Sequence, residues 1–142
     1  MWYRLFYIIV IFSVVAAGCF KSGSDKNPEK NSEDQAGAPP EITFEQVYYD
    51  FGSIKQGEKV SYAFHFENTG GSPLIIEDAY ASCGCTVPEY DTTPIQPGKK
   101  GHIEVIFDSA GRRGNQYKTV ILKTNSPDNK HRLTIKASVL MN

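Results

Sequence analysis

The sequence lacks most of the features that would assign it to a common function class. Its 142 residues include three cysteines, too few and too closely placed for a framework of disulfides, and its one tryptophan is Trp2. Residues 41–142 hold 11 Lys and Arg against 12 Asp and Glu, a net charge of −1. Because no basic excess is available to neutralise phosphates, we expect no binding to nucleic acid.

The short motifs that accompany catalysis are also missing. The chain has no glycine-rich phosphate loop, no Gly-x-Ser-x-Gly nucleophile turn and no His-Glu-x-x-His zinc motif. The sequence therefore favours a binding or assembly module over an enzyme.

No apolar run is long enough to span a membrane, but one has the length of a signal peptide. Arg4 is followed by 13 residues without a charge, Leu5 to Ala17. A transmembrane helix needs about 20 such residues, whereas a shorter run after a basic residue is typical of a secretory leader. Residues 1–18 are therefore predicted to be a cleaved signal peptide.

The end of this run predicts a lipid anchor. Small residues precede Cys19, and the sequence Ala16-Ala17-Gly18-Cys19 resembles the bacterial lipobox, with Ala16 in the place where leucine is usual. The resemblance implies acyl chains on the sulfur and on the new amino terminus of Cys19. Two or more chains hold a protein stably to a bilayer. Because no Asp follows Cys19, the outer membrane of a bacterial envelope is favoured over the inner membrane.

The rest of the 19–40 region is predicted to be a disordered tether. After Phe20 it contains no large apolar residue, and it mixes three Lys, four Asp and Glu and three Pro. Such a segment cannot bury enough apolar surface to offset the entropy lost on ordering. As a flexible coil of about 21 residues it would span roughly 25 Å, enough to lift a domain off the membrane.

Residues 41–142 are predicted to form one all-β domain. They contain 34 Val, Ile, Thr, Tyr and Phe against nine Leu and Ala, a composition typical of strands. Apolar and polar residues alternate in several runs, and turn residues separate them. The predicted strands lie near 42–49, 59–67, 74–81, 102–108, 117–124 and 132–140. Six or seven short strands with this spacing indicate a β-sandwich.

The predicted core relies on aromatic and aliphatic side chains. Antibody-type sandwiches pin their two sheets with a Cys…Trp…Cys arrangement, which this sequence does not have. The aromatic residues expected in the core are Phe44, Phe51, Tyr62, Phe64, Phe66 and Phe107.

Several motifs, read in order, resemble one known family. They are Asp50-Phe51-Gly52, Phe66 to Gly70, Pro73 to Ile76, Ser82 to Thr86, Pro97-Gly98 and Thr124 to Pro127. In these motifs, over nearly all of 41–142, the chain is similar to the bacterial domain of unknown function 1573, and Cys-Gly-Cys-Thr is the most specific part. The resemblance implies an immunoglobulin-like sandwich, related to domains of sperm and cilia-associated proteins, in exported proteins and lipoproteins. It implies no established activity.

Cys83 and Cys85 are the candidate chemical site, and three interpretations of them stay open. They could form a disulfide in an oxidising compartment, and a bridge between residues two apart closes a small, easily reduced ring suited to redox chemistry. Against this, no Lys, Arg or His stands beside them in sequence to lower the pKa of the thiols.

The other two interpretations are a metal site and a packing role. Two thiolates are suited to copper or zinc, and His65, His102 and His131 are the candidates to complete the ligand set. Copper or zinc is the only cofactor that the sequence suggests beyond the covalent lipid. Alternatively, both cysteines behave as small buried apolar residues in a tight bend.

Arg112 and Arg113 are the candidate partner-binding residues. They lie between two glycines in a predicted exposed loop. We expect a membrane-anchored envelope module that presents loops or an edge strand to an envelope protein or polymer. The alternative is a thiol redox or soft-metal protein that uses Cys83 and Cys85.

The lipid anchor gives a direct test. The variant Cys19→Ala removes the acylated sulfur, so we expect it to be released from membranes into the soluble fraction. The measurement is immunoblotting of membrane and soluble fractions after sedimentation. A variant that sediments with membranes as wild type does would show that Cys19 is not the anchor.

Overall fold

Eight β-strands form from the described part of the chain, residues 37–141 of a computed structural model. They are β1 (Ile42–Phe44), β2 (Tyr48–Lys55), β3 (Lys59–Asn68), β4 (Ile76–Ala81), β5 (Thr86–Tyr90), β6 (Lys100–Asp108), β7 (Gly114–Thr124) and β8 (Lys130–Leu140). Residues 37–141 include no helix of the length and apolarity that a membrane crossing requires. The predicted leader, Cys19 and most of the predicted tether lie outside the described residues.

The strands build two four-stranded sheets. The first sheet has the order β1-β3-β6-β5 and the second β2-β8-β7-β4. Neighbouring strands are antiparallel, except that β2 runs parallel to β8. The apolar sides of the two sheets form one core, which confirms the predicted β-sandwich.

Alternation along the strands decides which side chains reach the core. On β3, Phe64 and Phe66 are buried while His65 between them is exposed. Gly101 pairs with Phe66, and a Cβ there would lie 2.5 Å from the Phe66 ring, so glycine leaves the space that the ring fills. Three of the predicted core aromatics are fully buried, namely Phe64, Phe66 and Phe107, whereas the other three pack half-buried around the core, namely Phe44, Phe51 and Tyr62.

Two strand predictions differ from the structure. The predicted strand at 42–49 is two strands, because β1 pairs with β3 in the first sheet and β2 pairs with β8 in the second. The strand β5 was not expected, since its five residues follow the cysteines and include Pro88. Proline lacks an N–H donor, but β5 is an edge strand and tolerates it.

Asn68 ties together the chain segments at one end of the sandwich. Its side-chain oxygen accepts hydrogen bonds from the amides of Gly70 (3.0 Å) and Glu41 (3.5 Å). Its side-chain nitrogen donates to the carbonyls of Ser72 (2.9 Å) and Ile95 (2.8 Å). Asn68 is fully buried, and both the oxygen and the nitrogen of its side chain are hydrogen-bonded. Its burial therefore leaves no polar group of the side chain without a partner.

The packing predicts a large effect of Phe64→Ala. Removing a fully buried ring should lower the free energy of unfolding by about 3–5 kcal/mol. Urea denaturation measures this change, and Tyr117→Ala, at a position 61 % exposed, is the control, with an expected change within about 0.5 kcal/mol. A loss below about 1 kcal/mol for Phe64→Ala would contradict the described core.

Candidate functional site

Cys83 and Cys85 are joined by a disulfide in the connection between β4 and β5. Their α-carbons lie 5.4 Å apart. Because β4 belongs to the second sheet and β5 to the first, the disulfide lies where the chain crosses from one sheet to the other. The structure thus contains the bridge that the first interpretation of the cysteines requires.

The disulfide loop is half-buried at its two cysteines and exposed at Gly84. The hydroxyl oxygen of the buried Thr86 lies 3.8 Å from the sulfur of Cys83 and 4.0 Å from that of Cys85. The amide of Asp108 donates to the carbonyl of Cys85 at 3.0 Å. Gly84 is exposed, and a Cβ built on it would meet no atom within 4 Å. The disulfide loop is therefore open to solvent at Gly84.

This disulfide is a weak structural crosslink. Both cysteines lie in one short connection, so the bond links no two elements that the backbone does not already join. In the chain-entropy model a crosslink that closes three residues stabilises a fold by about 1.6 kcal/mol, roughly half the value for a 15-residue loop. Stability of the sandwich alone does not account for the bond.

The pairing of β4 with β7 continues toward Cys83 on one strand and Lys118 on the other. The amide of Ser82 donates to the carbonyl of Thr119 at 3.0 Å, which extends the antiparallel pairing one residue beyond β4. After this pair, the next residues along the two segments are Cys83 and Lys118. Continuing the same register by one residue would place Lys118 opposite Cys83, at the spacing of cross-strand neighbours.

The surroundings of Lys118 are electropositive. Its side chain is half-buried and points to the same side of β7 as the core residues Val120 and Leu122. Burial lowers the pKa of Lys118, and the positive charge of Arg112 lowers it further. The positive charge of Arg112, in the turn before β7, is thus close enough to act on Lys118.

Sequence reasoning missed Lys118. No basic residue stands beside the cysteines along the chain, and only the pairing of strands more than 30 residues apart supplies one. The available signal was its phase, because Lys118 shares the period of two of the core residues Val120 and Leu122 and stands where a core residue would be expected.

The predicted loop of Arg112 and Arg113 is the exposed turn between β6 and β7. The amide of Arg112 donates to the carbonyl of Ser109 at 3.0 Å, and its carbonyl accepts from the side chain of Gln56 at 2.8 Å. The backbone of the turn is thus fixed while both arginine side chains face solvent.

His65 and His102 lie apart from the cysteines. They are cross-strand partners on the outward side of the first sheet, with ring centroids 5.9 Å apart. Asp108, which hydrogen-bonds Cys85, lies six residues from His102 along β6. At the rise of an extended strand this is about 20 Å, too far for both histidines to share a metal with the thiolates.

His131 is also remote from the cysteines. It lies on β8 with its Nε2 atom 3.3 Å from the hydroxyl of Thr124 and 3.4 Å from that of Ser126. Burial lowers the pKa of His131, against an opposing effect of Asp128. Among residues 37–141, no three His, Cys, Asp or Glu side chains come close enough together to hold a metal ion. Binding of copper or zinc stays a prediction from the sequence.

A second candidate surface is the outward side of the second sheet. Three tyrosines project from it, Tyr48, Tyr80 and Tyr117, which are 47 %, 48 % and 61 % exposed. The remaining tyrosines among the described residues are half-buried. We define the tyrosine face as Tyr48, Tyr80, Tyr117, Thr119, Ile121, Arg132 and Thr134.

The strand register makes this face continuous. Tyr80, Ile121 and Arg132 form one row across β4, β7 and β8. Tyr48 begins the next row, which continues through Thr134 and Thr119. The outward side of the first sheet has no Phe, Tyr or Trp and consists chiefly of Ser61, Ala63, His65, Glu67, Val87, Glu89, His102, Glu104 and Ile106.

The model of a protein family of unknown function, DUF1573, matches residues 42–139. The chain belongs to the DUF1573 family. The match extends from the start of β1 almost to the end of β8, so the disulfide, Lys118 and the tyrosine face all lie within the DUF1573 domain.

Solved structures share the fold of this DUF1573 domain. A protein of unknown function from Porphyromonas gingivalis W83 is 21% identical with a TM-score of 0.60, over 73% of this chain and 48% of its own. The ASH/PapD-like domain 7 of human CEP192 is 10% identical with a TM-score of 0.57, over 73% of this chain and 88% of its own. The Vibrio cholerae protease VesB is 18% identical with a TM-score of 0.53, over 69% of this chain and 31% of its own.

These likenesses concern the fold alone. The chain spans about half the length of the Porphyromonas protein and about a third of the protease. The PapD-like neighbour confirms the immunoglobulin-like sandwich expected from the sequence. No curated protein sequence matches the chain.

Proposed function

We propose that this protein is a lipid-anchored binding module of the bacterial cell envelope, which holds a protein partner on the tyrosine face. The observation that carries the proposal is the one-sided distribution of aromatic residues. All exposed tyrosines of the described residues lie on the second sheet, and the outward side of the first sheet has none. Tyrosine and arginine are enriched where proteins bind one another, because they combine large apolar area with a polar end.

The edges of the sandwich are less suited to a partner than the face. The first sheet ends in β1, which has three residues, and in β5, where Pro88 removes a donor. The second sheet ends in β2 and β4, and both have an irregular register, after Asp50 and after Ile76. Short, bulged or proline-containing edges resist the addition of a further strand. A docked face is therefore favoured over an added strand.

The charges of the face favour an acidic partner. Lys123 and Lys136 are neutralised by Glu77 and Asp50, each at 2.8 Å. Arg132, by contrast, makes no salt bridge within residues 37–141. The exposed turn of Arg112 and Arg113 adds positive charge at the end of β7 nearest Tyr117. A partner with carboxylates opposite these arginines would gain charge-assisted hydrogen bonds.

The anchor and tether support the same role. The leader, the lipobox-like sequence at Cys19 and the polar segment that follows predict a domain held near a membrane on a flexible chain. A tether of about 21 residues confines the domain to a thin layer and raises the local concentration of any partner in it. Weak contacts on the tyrosine face would then suffice for binding.

Site-specific photo-crosslinking in the envelope tests the binding face. A photoreactive phenylalanine derivative replaces Tyr80 or Tyr117, and the matched control replaces Glu89 on the outward side of the first sheet. We expect one discrete crosslinked species from Tyr80 and Tyr117 and none from Glu89. Its yield should fall at high salt, because screening weakens the contacts of the arginines.

The opposite pattern would refute the proposal. Crosslinks from Glu89 alone, or equal crosslinks from both sides, would show that the tyrosine face is not the binding surface. The double variant Tyr80→Ser/Tyr117→Ser adds a second measure, since it should abolish crosslinking from a photoreactive group at Thr119 while the domain stays folded.

A further inference from the structure

We propose that Cys83 and Cys85 are a thiol–disulfide exchange site, at which the disulfide accepts two electrons from a dithiol of an envelope protein and Lys118 stabilises the thiolate of Cys83. The observations are the disulfide itself, the exposed Gly84 between its cysteines and the lysine that comes opposite Cys83 when the pairing of β4 with β7 is continued past Ser82. This site is distinct from the tyrosine face, since Lys118 points to the opposite side of β7 from Tyr117.

The two sulfurs are not equivalent. Cys85 packs against the core, whereas Cys83 does not. Cys85 is also fixed by the amide of Asp108, which donates to its carbonyl. An incoming thiolate therefore reaches Cys83 more easily, and Cys85 serves as the leaving group of the first step.

The exchange proceeds in two steps. In the first step a partner thiol loses its proton to solvent, and its thiolate attacks the sulfur of Cys83. The new S–S bond forms as the Cys83–Cys85 bond breaks. Cys85 leaves as a thiolate and takes up a proton. The second partner thiol, also deprotonated, attacks the partner sulfur in the mixed disulfide. Cys83 leaves as a thiolate and is protonated in turn. The partner dithiol is oxidised to a disulfide, and Cys83 and Cys85 are reduced to two thiols.

Lys118 acts in the second step as a positioning residue. The Cys83 thiolate and the Lys118 ammonium each favour the charged form of the other. A thiol whose thiolate is stabilised is a better leaving group, and a stabilised reduced form makes the disulfide a stronger oxidant. Burial and the positive charge of Arg112 disfavour the charged form of Lys118 and lower its pKa. A thiolate at Cys83 would stabilise this charge, and the oxidised form has no thiolate there.

The redox equilibrium of the full-length protein in detergent measures the effect of Lys118. The protein is equilibrated in buffers of fixed ratios of reduced to oxidised glutathione. Free thiols are then trapped with an alkylating reagent. Mass spectrometry measures how much of the peptide that contains Cys83 and Cys85 is alkylated. The variants are Lys118→Met, Lys118→Arg and the control Lys123→Met. Lys123 lies on the same strand but is paired with Glu77 on the outward side.

The expected results separate a redox role from a structural one. The wild-type protein should exchange with glutathione while folded. Lys118→Met should shift its equilibrium toward the disulfide by a factor that rises with pH and approaches about ten once the Cys83 thiol is ionised in both proteins, which corresponds to one unit in the pKa of the thiol. At pH 7 reduced Cys83 should be alkylated about threefold faster in wild type than in Lys118→Met, because the larger thiolate fraction is partly offset by the lower nucleophilicity of a thiolate of lower pKa. Lys118→Arg should restore both values, and Lys123→Met should leave them unchanged.

Three outcomes would overturn the proposal. They are free thiols at Cys83 and Cys85 in protein isolated from an oxidising compartment, a disulfide that glutathione reduces only after unfolding, and an equilibrium that is the same in wild type and Lys118→Met. Since glutathione needs no docking surface, each outcome leaves the binding role of the tyrosine face untouched.

Discussion

The face-to-face packing of two β-sheets is the interaction on which the rest of this structure depends. Phe64 and Phe107 of the first sheet share a core with Leu122 and Ile135 of the second, and all are nearly inaccessible to solvent. Because side chains alternate along a strand, burial of one side decides which residues point outward on the other side. The same pattern that buries Val120 and Leu122 turns Tyr117, Thr119 and Ile121 outward. The candidate binding surface is therefore a direct consequence of core formation.

The packing also explains where the disulfide lies. A chain that contributes neighbouring strands to different sheets must cross between them, and Ser82 to Cys85 is one such crossing. The crossing lies at the end of the sandwich where β6 ends, since the amide of Asp108 donates to the carbonyl of Cys85, and it follows the pairing of Ser82 with Thr119 of β7. A partner on the tyrosine face that extended past Tyr117 would reach this end. The two proposed activities are thus separate in mechanism but close in space.

The local part of this architecture could be predicted from sequence and the long-range part could not. Alternation revealed β3, β6 and β8, because a strand with one buried side shows a period of two. It could not show that the run at 42–49 changes sheets, since both halves alternate and only their partners β3 and β8 differ. The strand β5 was missed because Pro88 argues against a strand unless its edge position is known. Lys118 was missed because strand register, rather than chain proximity, brings it to Cys83.

Tyrosine nitration in intact envelopes measures whether a partner covers the tyrosine face. The protein is treated with a nitrating reagent in intact envelopes and after purification, and modified tyrosines are identified by mass spectrometry. We expect Tyr48, Tyr80 and Tyr117 to be nitrated in the purified protein and protected in the envelope, where the partner covers them. Equal nitration of all three in both preparations would contradict this expectation.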